Sequence, residues 1–420
     1  MSSKLDEVPR QDANNRRFRG LILSGRAGIG KTTSLMEMVS ADEKFVRIPM
    51  ASRTAEDFGV YPVPDKGKVT GLDGIERDVW TIAQPLIEAQ IVPLLKENIG
   101  DGYGVLLLDD VTLADPRLQS GLLELVQFGR IGDFQIGDNV LVAMTGNGIE
   151  DGCSAVEWNK ALLGRSMLIN YEPDFDAWLE YPANRDLDPS VVGFLKENPG
   201  FFAPGAAETQ YSDENGKTPS PRDHTALGTE LNLKHGGVRN FKPGFLWKSV
   251  YQFAESMEGK QFATAYSSFV QILMDYPTSE ELMEDPSKWD RLSAEKKNNV
   301  GCAFAIAHSL RQNFVRYANK LEEQHKVPKD LDAAREKLVK NLLLATASMA
   351  KGRREMAAFI FRHIAGELQA KNQGRTDKNR DTCLTKLSAW VYKLDGKQDD
   401  HIDSLDLLKV FESIREMGQI

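Results

Sequence analysis

The chain of 420 residues predicts an α/β fold: a parallel sheet with helices on both faces, followed by a largely helical second half. Three observations lead there. Apolar, β-rich runs alternate with helical patterns as far as about residue 170, the pattern of strands joined by crossover helices. Beyond residue 174 the strand signal fades, and residues 174–200 and 244–420 read mostly as helices. Between the first apolar run and the first helical pattern stands GRAGIGKT, residues 25–32.

In order, strands are expected at 20–23, 45–49, 105–108, 140–145 and 166–170, and helices at 31–39, 82–96, 117–127 and 159–163. Residues 130–138, RIGDFQIGD, alternate apolar residues with Gly-led turns and read as a hairpin. Residues 59–74, with Tyr61, Val63 and Val69 among Pro, Gly and Lys, read as a loop, and 203–221 as a second, exposed one. In the helical half, Phe253, Phe262, Tyr266, Phe269 and Leu273 recur at helical spacing and read as core. Residues 331–370 read as two helices broken near Lys351-Gly352. Their apolar stripe is Leu338, Leu342, Ala345 and Met349, then Met356, Ile360, Ile364 and Leu368.

Composition narrows the classes of function. The net charge is −9, so the molecule as a whole has no electrostatic pull toward nucleic acid or anionic membrane. Residues 337–380 depart from this with a local charge of +7; a solvated face of two helices and a nucleic-acid patch both fit, the first better. Apolar runs such as 105–108 fall far short of the about 20 residues a membrane helix needs. The polar N-terminus lacks a secretory h-region, and a cytoplasmic protein is expected. Cys153, Cys302 and Cys383 lie far apart and read as reduced thiols, and His308, His325 and His363 stand alone and read as structural.

GRAGIGKT matches the phosphate-gripping pattern GxxxxGK[ST]. Gly25, Arg26, Ala27, Gly28, Ile29, Gly30, Lys31, Thr32 and Thr33 form the candidate loop, whose curled backbone points successive N–H groups at phosphates. Lys31 supplies a charge toward the β and γ phosphates, and Thr32 a hydroxyl to Mg²⁺. VLLLDD, residues 105–110, is an apolar strand ending in two acids. Beside such a loop, Asp109 holds Mg²⁺ through water and Asp110 orients and deprotonates the attacking water. VLVAMTGN, residues 140–147, is another buried strand, and its terminal Asn147 can hold the same water. ATP and Mg²⁺ are the expected cofactors. A GTPase is disfavoured because Asn159-Lys160 is followed by Ala161-Leu162, without the acid that reads guanine.

These three motifs in this order resemble AAA+ ATPases of the MoxR type. The segments RTAEDFGVYPVP (53–64), LLELVQFGRIGDFQIGDNVLVAMTGN (122–147), NKALLGRSMLINYEPDFDAW (159–178) and TPSPRDH (218–224) are similar to the family's corresponding regions. The likeness spans roughly residues 15–315 and is nearest to phage and bacterial members partnered by von Willebrand factor A domain proteins. It implies a nucleotide-binding domain over 1–172, a helical lid over 173–243 and a helical region for partner or oligomer contacts over 244–420. It also implies Asn147 as first sensor, Arg165 as a finger reaching into a neighbouring subunit and Arg222 as second sensor. The finger implies a ring-shaped homo-oligomer, with six subunits expected, that remodels or matures a protein client. In related ATPases the hairpin at 130–138 faces the central pore or a partner, although covering the sheet edge explains it equally well. The loop at 59–74 is a second candidate for gripping a client.

One departure stands out. The family usually carries Glu after the Mg²⁺ aspartate, and Asp110 is one methylene shorter, so slow hydrolysis is expected. Two other functions remain open: a nucleic-acid motor using the basic stretch, and an ATP-gated scaffold that hydrolyses little.

Overall fold

The computed structural model describes residues 20–360 except 40–43, 55–56, 58–63, 72, 83–103, 132–133, 138, 149–154, 182–183, 185, 206, 215, 241–245, 325–327, 351–355 and 358. Two compact units divide the chain. The first holds the residues up to Ala177 with Gly205–Glu208, and the second Trp178–Pro204 with the residues from Thr209 onward.

The first unit runs β1 (Gly20–Ser24), α1 (Lys31–Met38), β2 (Lys44–Pro49), β3 (Pro64–Thr70), β4 (Glu76–Ile82), β5 (Gly104–Asp109), α2 (Pro116–Phe128), β6 (Arg130–Ile131), β7 (Phe134–Gln135), β8 (Val140–Gly146), α3 (Lys160–Leu163) and β9 (Ser166–Asn170). Five strands form one parallel sheet in the order β2-β5-β8-β1-β9. All five are the expected ones, within two residues at either end. Each face of the sheet has its own core. Ile22, Val46, Ile48, Leu106, Leu108, Val142 and Met144 pack with Leu118, Leu122 and Leu125 of α2. On the opposite face Leu21, Leu23, Leu107 and Ala143 pack with Leu35 of α1. Burial on both faces is why β1, β5 and β8 read as continuous apolar runs, while the edge strands β2 and β9 carry exposed residues.

Local signals explain the helix ends. Asp115 caps α2 by accepting from the Arg117 N–H, Pro116 opens the first turn, and Gly129 closes the helix at φ 67°. Asn159 caps the short α3 through the Ala161 N–H. Ile136, just after the β6–β7 hairpin, is buried in the α2-side core and anchors it. One expectation is corrected: within the expected loop at 59–74, residues 64–70 are strand β3, paired antiparallel with β4 from Pro64↔Ile82 to Thr70↔Glu76. Val69 is exposed on that ribbon, while Tyr61 and Val63 lie outside the described residues. So does the expected helix at 82–96, apart from Ile82, which ends β4.

The chain continues through α4 (Phe175–Glu180), α5 (Pro189–Glu197), α6 (Pro221–His235), α7 (Leu246–Glu258), α8 (Lys260–Leu273), α9 (Ser279–Glu284), α10 (Ser287–Asp290), α11 (Ala294–Asn298), α12 (Val300–Gln324) and α13 (Pro328–Ala350). Phe262, Tyr266, Phe269 and Leu273 are buried as expected, with Phe194 of α5 edge-on to Phe262 at 4.9 Å; Phe253 is only half-buried. Leu338, Leu342, Ala345, Met349, Met356 and Ile360 are buried, and the rest of that stripe lies outside the described residues. The 203–221 segment is a loop with one short turn at Thr209–Tyr211, but its last residues, Ser220 and Pro221, are buried where α6 begins. Cys302 is a buried free thiol whose pKa burial pushes up to about 12. No described helix is long and apolar enough to cross a membrane.

Candidate functional site

In a parallel sheet every carboxyl end opens at the same edge, so the segments after β1, β5 and β8 converge there. The loop after β1 begins at Gly25, whose N–H donates to the Gly146 carbonyl at 3.2 Å. A Cβ at Gly25 would stand 2.7 Å from the Tyr171 carbonyl oxygen, so no side chain fits. Gly30, at φ 101°, takes the left-handed turn that sends the chain into α1. Ile29 is buried beneath the loop, Ala27 is exposed on it, and Thr33 is half-buried in the first turn. The Tyr171 hydroxyl shares a 2.5 Å hydrogen bond with Ser34, tying α1 to the segment after β9.

Lys31 is buried, and its ammonium donates to the carbonyls of Gly25 at 2.7 Å and Arg26 at 2.6 Å and to Asn147 Oδ1 at 2.9 Å. Asn147 is itself fixed, its N–H donating to Thr112 Oγ1 at 2.8 Å. The loop lysine and the amide that ends β8 therefore meet directly, 116 residues apart in the chain.

Asp109 ends β5 with only 2% exposure. Its Oδ1 accepts from Thr32 Oγ1 at 2.7 Å and Thr145 Oγ1 at 2.5 Å, and its Oδ2 from Arg47 Nε at 2.7 Å, with the Arg47 Nη2 at 2.5 Å. Burial pushes this carboxyl up, but the hydrogen bonds from Thr145, Thr32 and Arg47 outweigh it and hold the pKa below the ordinary value. Thr32 and Asp109 present hydroxyl and carboxylate oxygens side by side, the hard donor set that Mg²⁺ takes. Asp110 adopts φ 59°, ψ 45°, the one left-handed non-glycine among the described residues, and its N–H donates to Thr145 Oγ1 at 2.9 Å.

Lys31, Thr32, Asp109 and Asn147 thus converge, with Asp110 next to them. Arg165 does not join them. It precedes β9 at the sheet's other edge, about 17 Å of strand away, donating to Gln127 Oε1 at 2.7 Å and the Ala161 carbonyl at 3.0 Å. Arg222 is exposed on the first turn of α6, in the second unit. Sequence reading missed Arg47, signalled only as a charge inside the apolar run FVRIP, and Thr145, which binds Asp109 and Asp110 at once.

A parallel sheet in this order, a glycine-rich loop from β1 into α1, and a carboxylate at the end of β5 facing that loop define a P-loop nucleotide-binding α/β fold. No family model matches the chain, and no curated protein matches it. Among solved structures it is similar to a protein described as an ATPase from Cytophaga hutchinsonii, with 14% identity and a TM-score of 0.22, covering 60% of this chain and 84% of that one. It is also similar to Cdc6p from Pyrobaculum aerophilum, with 14% identity and a TM-score of 0.33, covering 81% and 87%.

Proposed function

We propose that the protein binds and hydrolyses ATP as a MoxR-type AAA+ machine, with domains at 1–172, 173–243 and 244–420. The observation that carries this reading is the convergence of Lys31, Thr32, Asp109 and Asn147 on the loop after β1. The loop backbone and Lys31 bind the triphosphate. Asn147, locked by Thr112, orients a water near the terminal phosphate, and Asp110 accepts its proton. Mg²⁺, held by Thr32 and through water by Asp109, neutralises charge on the phosphates when bound. Arg165 stands at the edge opposite its own loop, where it serves a neighbour's site rather than its own, and this supports a ring with the finger supplied in trans. Arg222 is the second sensor. The ring is a hexamer in the cytoplasm of a bacterium or phage-infected host. It works on a protein client, a von Willebrand factor A domain protein being the candidate partner.

The decisive experiment is ATP turnover per subunit against protein concentration. The proposal expects specific activity to rise steeply with concentration and to disappear in Lys31→Ala and Arg165→Ala. Wild-type activity in Arg165→Ala would remove the finger assignment. The scaffold reading keeps one supporting observation, the short Asp110 on a constrained backbone; silence of wild type with turnover by Asp110→Glu would favour it. For the nucleic-acid reading, Lys337 and Lys340 are exposed on α13, and DNA-stimulated, salt-sensitive turnover would favour that one.

A further inference from the structure

We propose that Arg47 is a latch on the cation site: its guanidinium holds the Asp109 carboxylate to which the water shell of a nucleotide-bound divalent cation would turn, so the cation and Arg47 compete for that carboxylate. The inference rests on the nucleotide-binding reading above and adds a regulating residue to that site.

The register of the sheet puts Arg47 there. Within β2, Val46 and Ile48 point into the α2-side core, so Phe45 and Arg47 share the other face with Leu107. Arg47 pairs with Leu107 of β5, and Asp109 follows two residues later on the same face. The arginine therefore reaches its diagonal neighbour along the pleat.

The division of the carboxylate makes this contact more than a surface ion pair. Oδ1 already accepts from two hydroxyls, those of Thr32 and Thr145. Oδ2 is the other oxygen, and Arg47 grips it with both Nε and Nη2. The Thr32 oxygen keeps lone pairs for a cation while the carboxylate beside it is already neutralised. The latch is also easy to open. Asp109 is 2% exposed, but the Arg47 side chain is 50% exposed, so the arm can swing into water and keep its own hydration while the carboxylate stays in place. Arg47 brings a single charge to the carboxylate, and a divalent charge beside the same carboxylate attracts it more strongly.

The test is a titration of Mg²⁺ into the full-length protein, reading the affinity of a fluorescent ATP analogue, with folding checked by circular dichroism. Arg47→Met keeps the aliphatic stem and removes the charge, Arg47→Gln keeps a polar end, and Arg47→Lys keeps the charge. The latch expects Met and Gln to lower the Mg²⁺ midpoint about fivefold, or about 1 kcal/mol at 1.4 kcal/mol per decade. Metal-free affinity should change by less than about twofold, and Arg47→Lys should stay within about twofold of wild type at every step. A midpoint that is unchanged or raised in a folded Met or Gln variant overturns the latch; a raised one makes Arg47 a positioner of Asp109 instead. Lys31→Ala separates the two layers. If it binds the analogue as wild type does, the nucleotide reading falls and the latch with it; if it loses binding while the Arg47 variants leave the midpoint in place, only the latch falls.

Discussion

Two buried carboxylates, one in each unit, meet the same problem in opposite ways. Asp109 in the sheet unit collects hydrogen bonds from Thr32, Thr145 and Arg47, and its pKa lies below the ordinary value. Glu258, at the end of α7, is fully buried and faces His224 Nδ1 at 2.8 Å. Burial raises its pKa by more than His224 lowers it. The His224 Nε2 faces the carbonyls of Phe201 and Phe202 at 3.1 and 2.9 Å and so carries a proton. The ring is stacked between Phe202 and Phe262. Between these two carboxylates the balance differs: three donor side chains outweigh burial at Asp109, whereas His224 alone does not outweigh it at Glu258. The sheet unit favours the ionised form of its carboxylate, while the helical unit favours the protonated forms of both partners of its pair.

Breaking the helical pair should have the largest effect. His224→Ala leaves Glu258 buried without its partner and opens a cavity among Phe202, Phe262 and Trp178, so a loss of about 3–5 kcal/mol is expected in chemical denaturation. The double variant His224→Leu, Glu258→Leu should lose less than His224→Ala alone; if it loses more, the pair contributes more than the satisfaction of its own charges. The pair also sets a pH dependence. Burial alone would lower the His224 pKa, but Glu258 and the carbonyls raise it above 6.5 overall. Folded pKa values of both partners are raised, so the folded state holds protons that the unfolded chain releases. The Glu258 contribution is full below pH 4.5 and the His224 contribution below pH 6.5, and each declines as pH rises through its raised folded value. Asp109 acts on the other side: its contribution is present above pH 3.8 and lost as pH falls through the depressed folded value. Denaturation midpoints of wild type and the double Leu variant between pH 5 and 9 check this. An unchanged alkaline slope in the double variant would remove the pair as its source.

Thr145→Val sharpens the contrast from the other end. It removes one of the two hydroxyls on Asp109 Oδ1 and leaves the Asp110 N–H without its acceptor. The expected cost is about 2–3 kcal/mol, with weaker Mg²⁺-dependent nucleotide binding. Thr145→Ser keeps the hydroxyl and should restore both within about 1 kcal/mol.

The two units also differ in how much of them was legible. The three inner strands stood out because burial on both faces writes them as unbroken apolar runs such as VLLL and VLVAM, whereas the edge strands β2 and β9 show only short apolar runs with exposed residues among them. The β3–β4 ribbon was hidden because PDKGKVT, with its Lys, Asp and Gly, shows no apolar alternation and reads as a loop. Lys31, Thr32, Asp109 and Asn147 were legible as parts of contiguous motifs. Arg47 and Thr145 were not, because what brings them to Asp109 is strand register. TPSPRDH drew attention to Arg222, which is exposed, while the residue that fixes the start of α6 in the core is His224, through a glutamate 34 residues away.

Asp110 gives the smallest expected effect, and it bears on why this position holds aspartate rather than the longer glutamate. Its backbone is left-handed and opens the short turn at Val111–Leu113. Apart from glycine, Asn and Asp are the residues that visit this region readily, because their short polar side chains bond locally. Shortening the acid lowers the cost of the turn and draws the carboxylate back from any water held by Asn147. Asp110→Asn should stay within about 0.5 kcal/mol of wild-type stability, whereas Asp110→Glu should lose about 1 kcal/mol. Under the proposed function, Asn also abolishes turnover while nucleotide binding persists, and Glu speeds turnover at that small cost in stability. A glutamate variant as stable as wild type would show that backbone conformation does not select the aspartate, leaving the reach of the carboxylate as the property to vary next.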